Sequence, residues 1–317
     1  MPRACTGKLN ASSGWLRLAL IASLSLCVGA SCAASRDPDP SRPRASNEPP
    51  YPVILAANAE RRDQALTSWA ALARDQNLRN EPPPPLQPVT ATISALPTAL
   101  DAPLRLPLVE IRDEAGEVRE ASKEESRRES LRRFITGAGA PLLGVTPQNL
   151  SLVERKDEAD GTRRARYQQH PFPYPLRAGF GTLEIAFTDD RRVLSLSSTA
   201  IPDTDRLSRA LALVRPQQLT AEQAVERLRG RAFTFPGITS PLTYTVAPDD
   251  PIVPRELVVY PVRPAGDTAG ALELHVAWEM AVGKGTEPYL VYLDALTGDI
   301  VAAMTQAVQV KEKQQKQ

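Results

Sequence analysis

Catalysis by metal, nucleophile or general base draws mainly on histidine, cysteine and paired carboxylates, and this chain is poor in the first two. It has two histidines, His170 and His275, far apart in sequence. Its three cysteines, Cys5, Cys27 and Cys32, all lie within the first 32 of 317 residues. Beyond Cys32 no disulfide and no cysteine-based zinc site can form. No HExxH, CxxC, GxSxG or Walker loop occurs. His170 precedes Pro171 among aromatic residues, and His275 lies on the polar side of a strand around Trp278, so both read as surface or packing histidines. The acidic pairs Asp189–Asp190 and Asp249–Asp250 sit where turns are expected, since Asp bonds well to its own backbone there. A carboxylate-pair hydrolase stays open as a minor reading, because sequence does not fix distances in space. Gly179-Phe180-Gly181 and Gly283-Lys284-Gly285 are too short to cradle a phosphate and read as turns.

Charge narrows the partners. Lys and Arg total 38 against 37 Asp and Glu, so no excess of base is present to hold a phosphate backbone. The Arg127, Arg128, Arg132, Arg133 cluster is interleaved with Glu120, Glu124, Glu125 and Glu129 and reads as a solvated helix face. Thirty prolines imply short helices and stiff loops.

Residues 1–31 read as a signal peptide: Arg3, Lys8 and Arg17 precede the apolar run Leu18–Ala30. That run is too short for a membrane span. Val28-Gly29-Ala30-Ser31-Cys32 resembles a bacterial lipobox, with Gly29 where an aliphatic residue is usual. Lipid attachment at Cys32 is the expectation, and ordinary cleavage near Cys32-Ala33-Ala34 is its rival. Residues 32–50 are polar and Pro-rich, as a disordered tether would be. The location expected is outside the cytoplasm, as a membrane-anchored lipoprotein or else secreted.

The elements that must position any site follow from periodicity. Ala57–Leu78 reads as a helix capped by Asn58, with Leu66, Trp69, Leu72 and Ala73 on one face. The prolines Pro82–Pro85 end it, Val89–Ile93 looks like a strand, and Leu104–Ile111 is at most an edge strand. Ser122 and Glu125 form a capping box for a second helix whose apolar face is Leu131, Phe134 and Ile135. Strands follow at Leu150–Val153 and Arg164–Gln168, then a hairpin in which Leu183, Ile185 and Phe187 alternate and Leu194 and Leu196 return. Thr220 and Gln223 cap a third helix. Leu257–Val262 reads as a strand, and Leu272 to Val282 is apolar at every second position. Tyr289–Ala295 and Ile300–Met304 complete a three-stranded meander. The expected class is α+β: two small modules, 118–205 and 206–308, each a helix on an antiparallel sheet. Before them lies an N-terminal helical and Pro-rich region at 51–117, and after them a disordered tail at 309–317.

Phe134–Asp203 resembles the FTP domain, the fungalysin/thermolysin propeptide module, through Leu142–Val145, Leu150–Val153, Tyr167-Gln168-Gln169, Gly181–Phe187 and Ser195–Pro202. Leu219–Met304 resembles a PepSY-type domain through Thr220–Ala224, Leu272–Met280 and the run Tyr289–Ile300 with its Asp-Ala and Thr-Gly turn. In secreted thermolysin-like proteases this pair precedes the catalytic domain, assists its folding and holds it inactive. The resemblance therefore implies a free-standing, propeptide-like binding protein and not an enzyme. It would inhibit a secreted thermolysin-like metalloprotease or help it fold, with no cofactor, no metal and no catalytic residue. An envelope scaffold lipoprotein without a peptidase partner is the alternative. Tyr289 and Tyr292 are candidate binding residues; they occupy opposite faces of one strand, so at most one can be core.

Overall fold

Two capped helix starts hold as the sequence implies, and they anchor two separate cores. In the computed structural model, residues 50–79, 82–111, 120–170, 172–215, 218–237, 240–264, 270–284 and 288–305 are described. The expected signal peptide, Cys32, the expected tether up to residue 49 and the expected tail at 309–317 lie outside the described residues. Helix α1 (Ala59–Asp75) starts after Asn58, whose side chain accepts the N–H groups of Glu60 and Arg61. Helix α2 is Glu120–Ala138, so Ser122 sits inside its first turns and does not cap it. There its carbonyl accepts from Ser126 Oγ at 2.7 Å. These two helices span 17 and 19 residues, longer than the proline count suggests, because neither contains a proline. The short α3 (Ala140–Leu143) ends at Gly144, with φ of 77°, where a Cβ would meet Thr92 Cγ2 at 2.5 Å. Only glycine fits both that backbone and that contact.

The three helices pack on a four-stranded antiparallel sheet in the order β2-β3-β4-β5. Its strands are β2 (Leu150–Asp157), β3 (Thr162–Gln169), β4 (Thr182–Thr188) and β5 (Val193–Ser198). Trp69, Leu72, Phe134, Ile135, Leu142, Leu183, Ile185 and Leu196 form the shared core. Val89–Ile93 is not a strand. Its hydrogen bonds go to different elements: Ile93 N–H donates to Leu142 O at 3.0 Å, and Ile93 O accepts from Ser198 N–H at 2.7 Å. Thr92 Oγ1 donates to Ser198 O at 2.9 Å. No single ladder is left for it to join.

The second sheet is built around β9 (Ala271–Val282), the strand with the clearest alternation. On one edge it pairs along its length with β8 (Ile252–Val262). The other edge is shared: β10 (Tyr289–Asp294) takes residues 277–282, and β1 (Val53–Ala56), from the start of the domain, takes 271–274. β11 (Ile300–Thr305) pairs with β10. All pairings between strands are antiparallel, apart from one isolated parallel bridge of Leu176 to Val259, and the class is α+β.

On the face bearing Leu272, Leu274 and Val276 lie α4 (Thr204–Leu213) and its neighbours. Towards Met280 and Val282 lie α5 (Ala221–Leu228) and the hairpin β6 (Ala232–Phe235)–β7 (Leu242–Thr245). The capping box of α5 forms as expected from Thr220 and Gln223. Trp278 packs against both clusters, and its Nε1–H donates to Leu219 O at 2.9 Å. Residues 51–111 therefore reach both sheets: β1 joins the second sheet and α1 the first core. No helix among the described residues is long and apolar enough to cross a membrane.

Candidate functional site

Among the described residues the first sheet has helices on one face only, and the other face carries a groove. In register, Ala186 lies opposite Ser195, and Glu184 opposite Ser197. Next to these, Arg166 pairs with both Glu184 and Glu154, and Lys156 opposes Arg164. Small side chains on β4 and β5 thus form a low floor, and long charged ones on β2 and β3 form a wall. The resulting cavity is about 410 Å³. Alternation dictates this: every second residue of each strand points away from the apolar core.

The wall is a graded charge ladder. The Arg166 guanidinium lies 3.7 Å from Glu154 and 3.5 Å from Glu184. Its Nε–H is shielded from solvent and faces Glu184 at 3.5 Å, an ion-pair contact without hydrogen-bond geometry. Arg164 Nε–H donates to Glu158 at 2.7 Å. Lys156 is exposed and has no ion-pair partner among the described residues. An extended segment laid in this groove would meet both signs of charge and one buried donor held only by a long contact to Glu184.

The acidic pairs do not form a catalytic dyad. Asp189 and Asp190 sit in the β4–β5 turn. Asp189 accepts from Arg163 Nε–H at 2.5 Å, and that bond holds its carboxyl below the usual range. Asp190 is lowered by bonds from Thr188 and Arg192. Asp249 pairs with Lys284 at 2.5 Å, while Asp250 accepts from Tyr244 at 2.6 Å and from Ala247 N–H at 2.7 Å. Each carboxylate is engaged by a cation or hydrogen-bond donor beside it, Asp189 and Asp249 by the sequence-distant Arg163 and Lys284 and the other two within their turns.

His275 is a packing histidine with a specific job. It lies where β1 and β10 meet on the β9 edge. Its Nδ1–H donates to Asp294 Oδ2 at 2.7 Å, and its Nε2 lies 3.4 Å from Glu273. Tyr51 OH donates to the same Asp294 oxygen at 2.7 Å and accepts from Val276 N–H at 2.9 Å. Asp294 Oδ1 accepts from Leu296 and Thr297 N–H at 2.8 and 2.9 Å. Burial pulls the imidazole towards neutrality, but the bonds to Asp294 and Glu273 outweigh it and raise its pKa. Burial, reinforced by Asp294, pushes the Tyr51 phenol far above its ordinary range. The cluster rivets the seam between two strands that share an edge. His170 is exposed in the loop after β3, with its backbone N–H bonded to Asn149 O at 2.9 Å.

The two candidate tyrosines part company. They do lie on opposite faces of β10, but Tyr292 is 1% exposed and cannot serve as an exposed anchor. Its OH donates to Glu279 at 3.2 Å, and its ring stacks at 4.4 Å on Tyr260. Glu279 is itself buried and accepts from Arg177 Nε–H at 2.8 Å, with Arg255 at 3.6 Å. Tyr289 keeps partial exposure, but it packs against Phe233, Phe235 and Tyr244. Its neighbour Tyr244 has its phenol pushed up to about 12 by its bond to Asp250. Neither tyrosine touches the groove. Arg166 and Glu184 were legible only as strand charges, because their meeting depends on register.

No family model matches the chain, and no curated protein does. Among solved structures, the Bacillus megaterium YpeB C-terminal domain is similar at 10% identity, covering 67% of this chain and 71% of that one, with a TM-score of 0.27. The resemblance to FTP and PepSY-type modules therefore rests on the motifs quoted above.

Proposed function

We propose that the chain is an exported, non-enzymatic binding protein that takes an extended segment of a protein partner into the groove on the open face of β2–β5. The observation that carries this reading is the groove itself: a cavity of about 410 Å³ walled by Arg166, whose buried Nε–H makes only a long ion-pair contact with Glu184. A carboxylate or backbone carbonyl of the bound segment would satisfy that donor. The partner proposed, on the sequence resemblance, is a secreted thermolysin-like metalloprotease, and the mature chain is anchored by lipid on Cys32.

Cleavage of a quenched peptide by the co-secreted metalloprotease, measured against added mature chain, tests the reading. Slowed cleavage is expected, and Arg166→Ala should weaken the effect about tenfold, as loss of a charged hydrogen bond would. Zinc-dependent hydrolysis by the chain alone, or no effect on any co-secreted metalloprotease, would overturn it. Lipid anchoring has its own check: Cys32→Ala should move the protein out of the detergent phase, and a water-soluble wild type would sink that part.

A further inference from the structure

The two sheets leave their edges in different states. Along β5, Val193 N–H donates to Leu104 O at 2.8 Å, and Leu106 N–H donates to Arg191 O at 2.9 Å. Along β8, Val259 N–H donates to Pro175 O at 2.9 Å, and Arg177 N–H donates to Val259 O at 3.0 Å. Both of those edges are covered by a passing segment. Among the described residues the outer edge of β2 has no such cover, and its residues from Ser151 to Asp157 are all exposed. Leu152 and Val153 are 40% and 55% exposed there. An open edge is a template for another strand, and proteins usually blunt one with charges or a bulge. β2 has both, with its bulge between Leu152 and Glu154.

The charges on β2 do more than repel. Glu158 N–H donates to Thr162 O at 2.8 Å. Ladder bonds alternate along an antiparallel pair, so Glu154 and Lys156 turn their backbone groups towards β3, and Arg155 and Asp157 turn theirs to the free edge. We propose that β2 pairs antiparallel with β2 of a second copy about a two-fold axis at Arg155, joining the two sheets into one. In that register the two Arg155 residues exchange outward N–H and C=O groups. Glu154 then lies opposite Lys156 of the second copy, twice by symmetry, on the open face. This gives Lys156 the counter-charge it lacks among the described residues of its own chain. The Arg155 side chains meet near the axis, but each is already paired with Glu124 and Asp157 of its own chain. A shift of one residue either way would set charges out of this match and put the helix face of one copy beside the open face of the other. The pairing stands independently of the proposed peptidase partner. It would run the two grooves side by side on a continuous surface.

Light scattering and sedimentation of the mature chain test the proposal. A concentration-dependent dimer is expected. Glu154→Lys and Lys156→Glu should each raise the dimer dissociation constant about tenfold or more, since each sets two like-charge pairs across the axis. The double swap, Glu154→Lys with Lys156→Glu, should restore the dimer. Hydrogen exchange of the wild type provides a readout that needs no variant: the Arg155 and Asp157 amides should slow as concentration rises. A monomer at all concentrations up to about 100 μM, or a dimer indifferent to both single reversals, would overturn the proposal. Fast exchange at those amides in the dimer would do the same.

Discussion

The outer faces of the two sheets use their charged side chains in opposite ways. On β2–β5 the charges stand in solvent over a low floor of Ala186 and Ser195, and they leave a groove. On β8–β11 the corresponding face buries Val258, Ala277, Leu290 and Tyr292, and its charges are drawn into two tight clusters, Arg177–Glu279 and His275–Asp294. Exposed pairs contribute little to stability, whereas a buried charge is costly to orphan. The first face is therefore free to change for binding, and the second is committed to holding the fold.

Three experiments probe that contrast. Arg177→Ala should show the largest effect. It strips Glu279, which is buried, of its closest cation, and the expected loss is about 3 kcal/mol in denaturant unfolding. That figure is the low end of the usual range because Arg255 stays 3.6 Å away. A loss under about 1 kcal/mol would make this face no different from the open one.

The His275 cluster should come next and should depend on pH. Its folded pKa is raised, so its contribution is complete below the unfolded histidine value of about 6.5 and fades as pH rises through the folded value. His275→Ala should then cost more stability at about pH 5.5 than at about pH 9. An equal cost at both would show that the Asp294 contact does not favour the charged ring.

Arg166→Ala should be the mildest, below about 1 kcal/mol, with its side chain 32% exposed between Glu154 and Glu184. A loss as large as that for Arg177→Ala would place the groove wall among the structural clusters and remove its claim to be a site.

Much of the architecture was legible locally. The cap at Asn58, the capping box of Thr220 and Gln223, the turn at Asp189–Asp190 and the period-two run around Trp278 each depend on residues within a turn or a strand. Helix α4 lay outside the expected helices, although Leu207, Leu211 and Val214 sit at helical spacing and are all buried. Strands β1, β6 and β7 have four residues each, too few to show a period.

By itself the sequence determined the α+β class, the apolar face of each long element and the absence of cysteine chemistry beyond Cys32. Only the tertiary structure decided that β1 would complete the edge of β9 beside β10, that Tyr51 and His275 would converge on Asp294, that Arg177 would reach Glu279, and that Tyr292 would be core. The reason is range. Caps and alternation are set by neighbours a few residues away, whereas Tyr51 and Asp294 lie 243 positions apart and meet only once the strand register is fixed. The groove obeys the same rule: each wall residue is an ordinary strand charge, and only pairing across β2, β3 and β4 sets Glu154, Arg166 and Glu184 in one row.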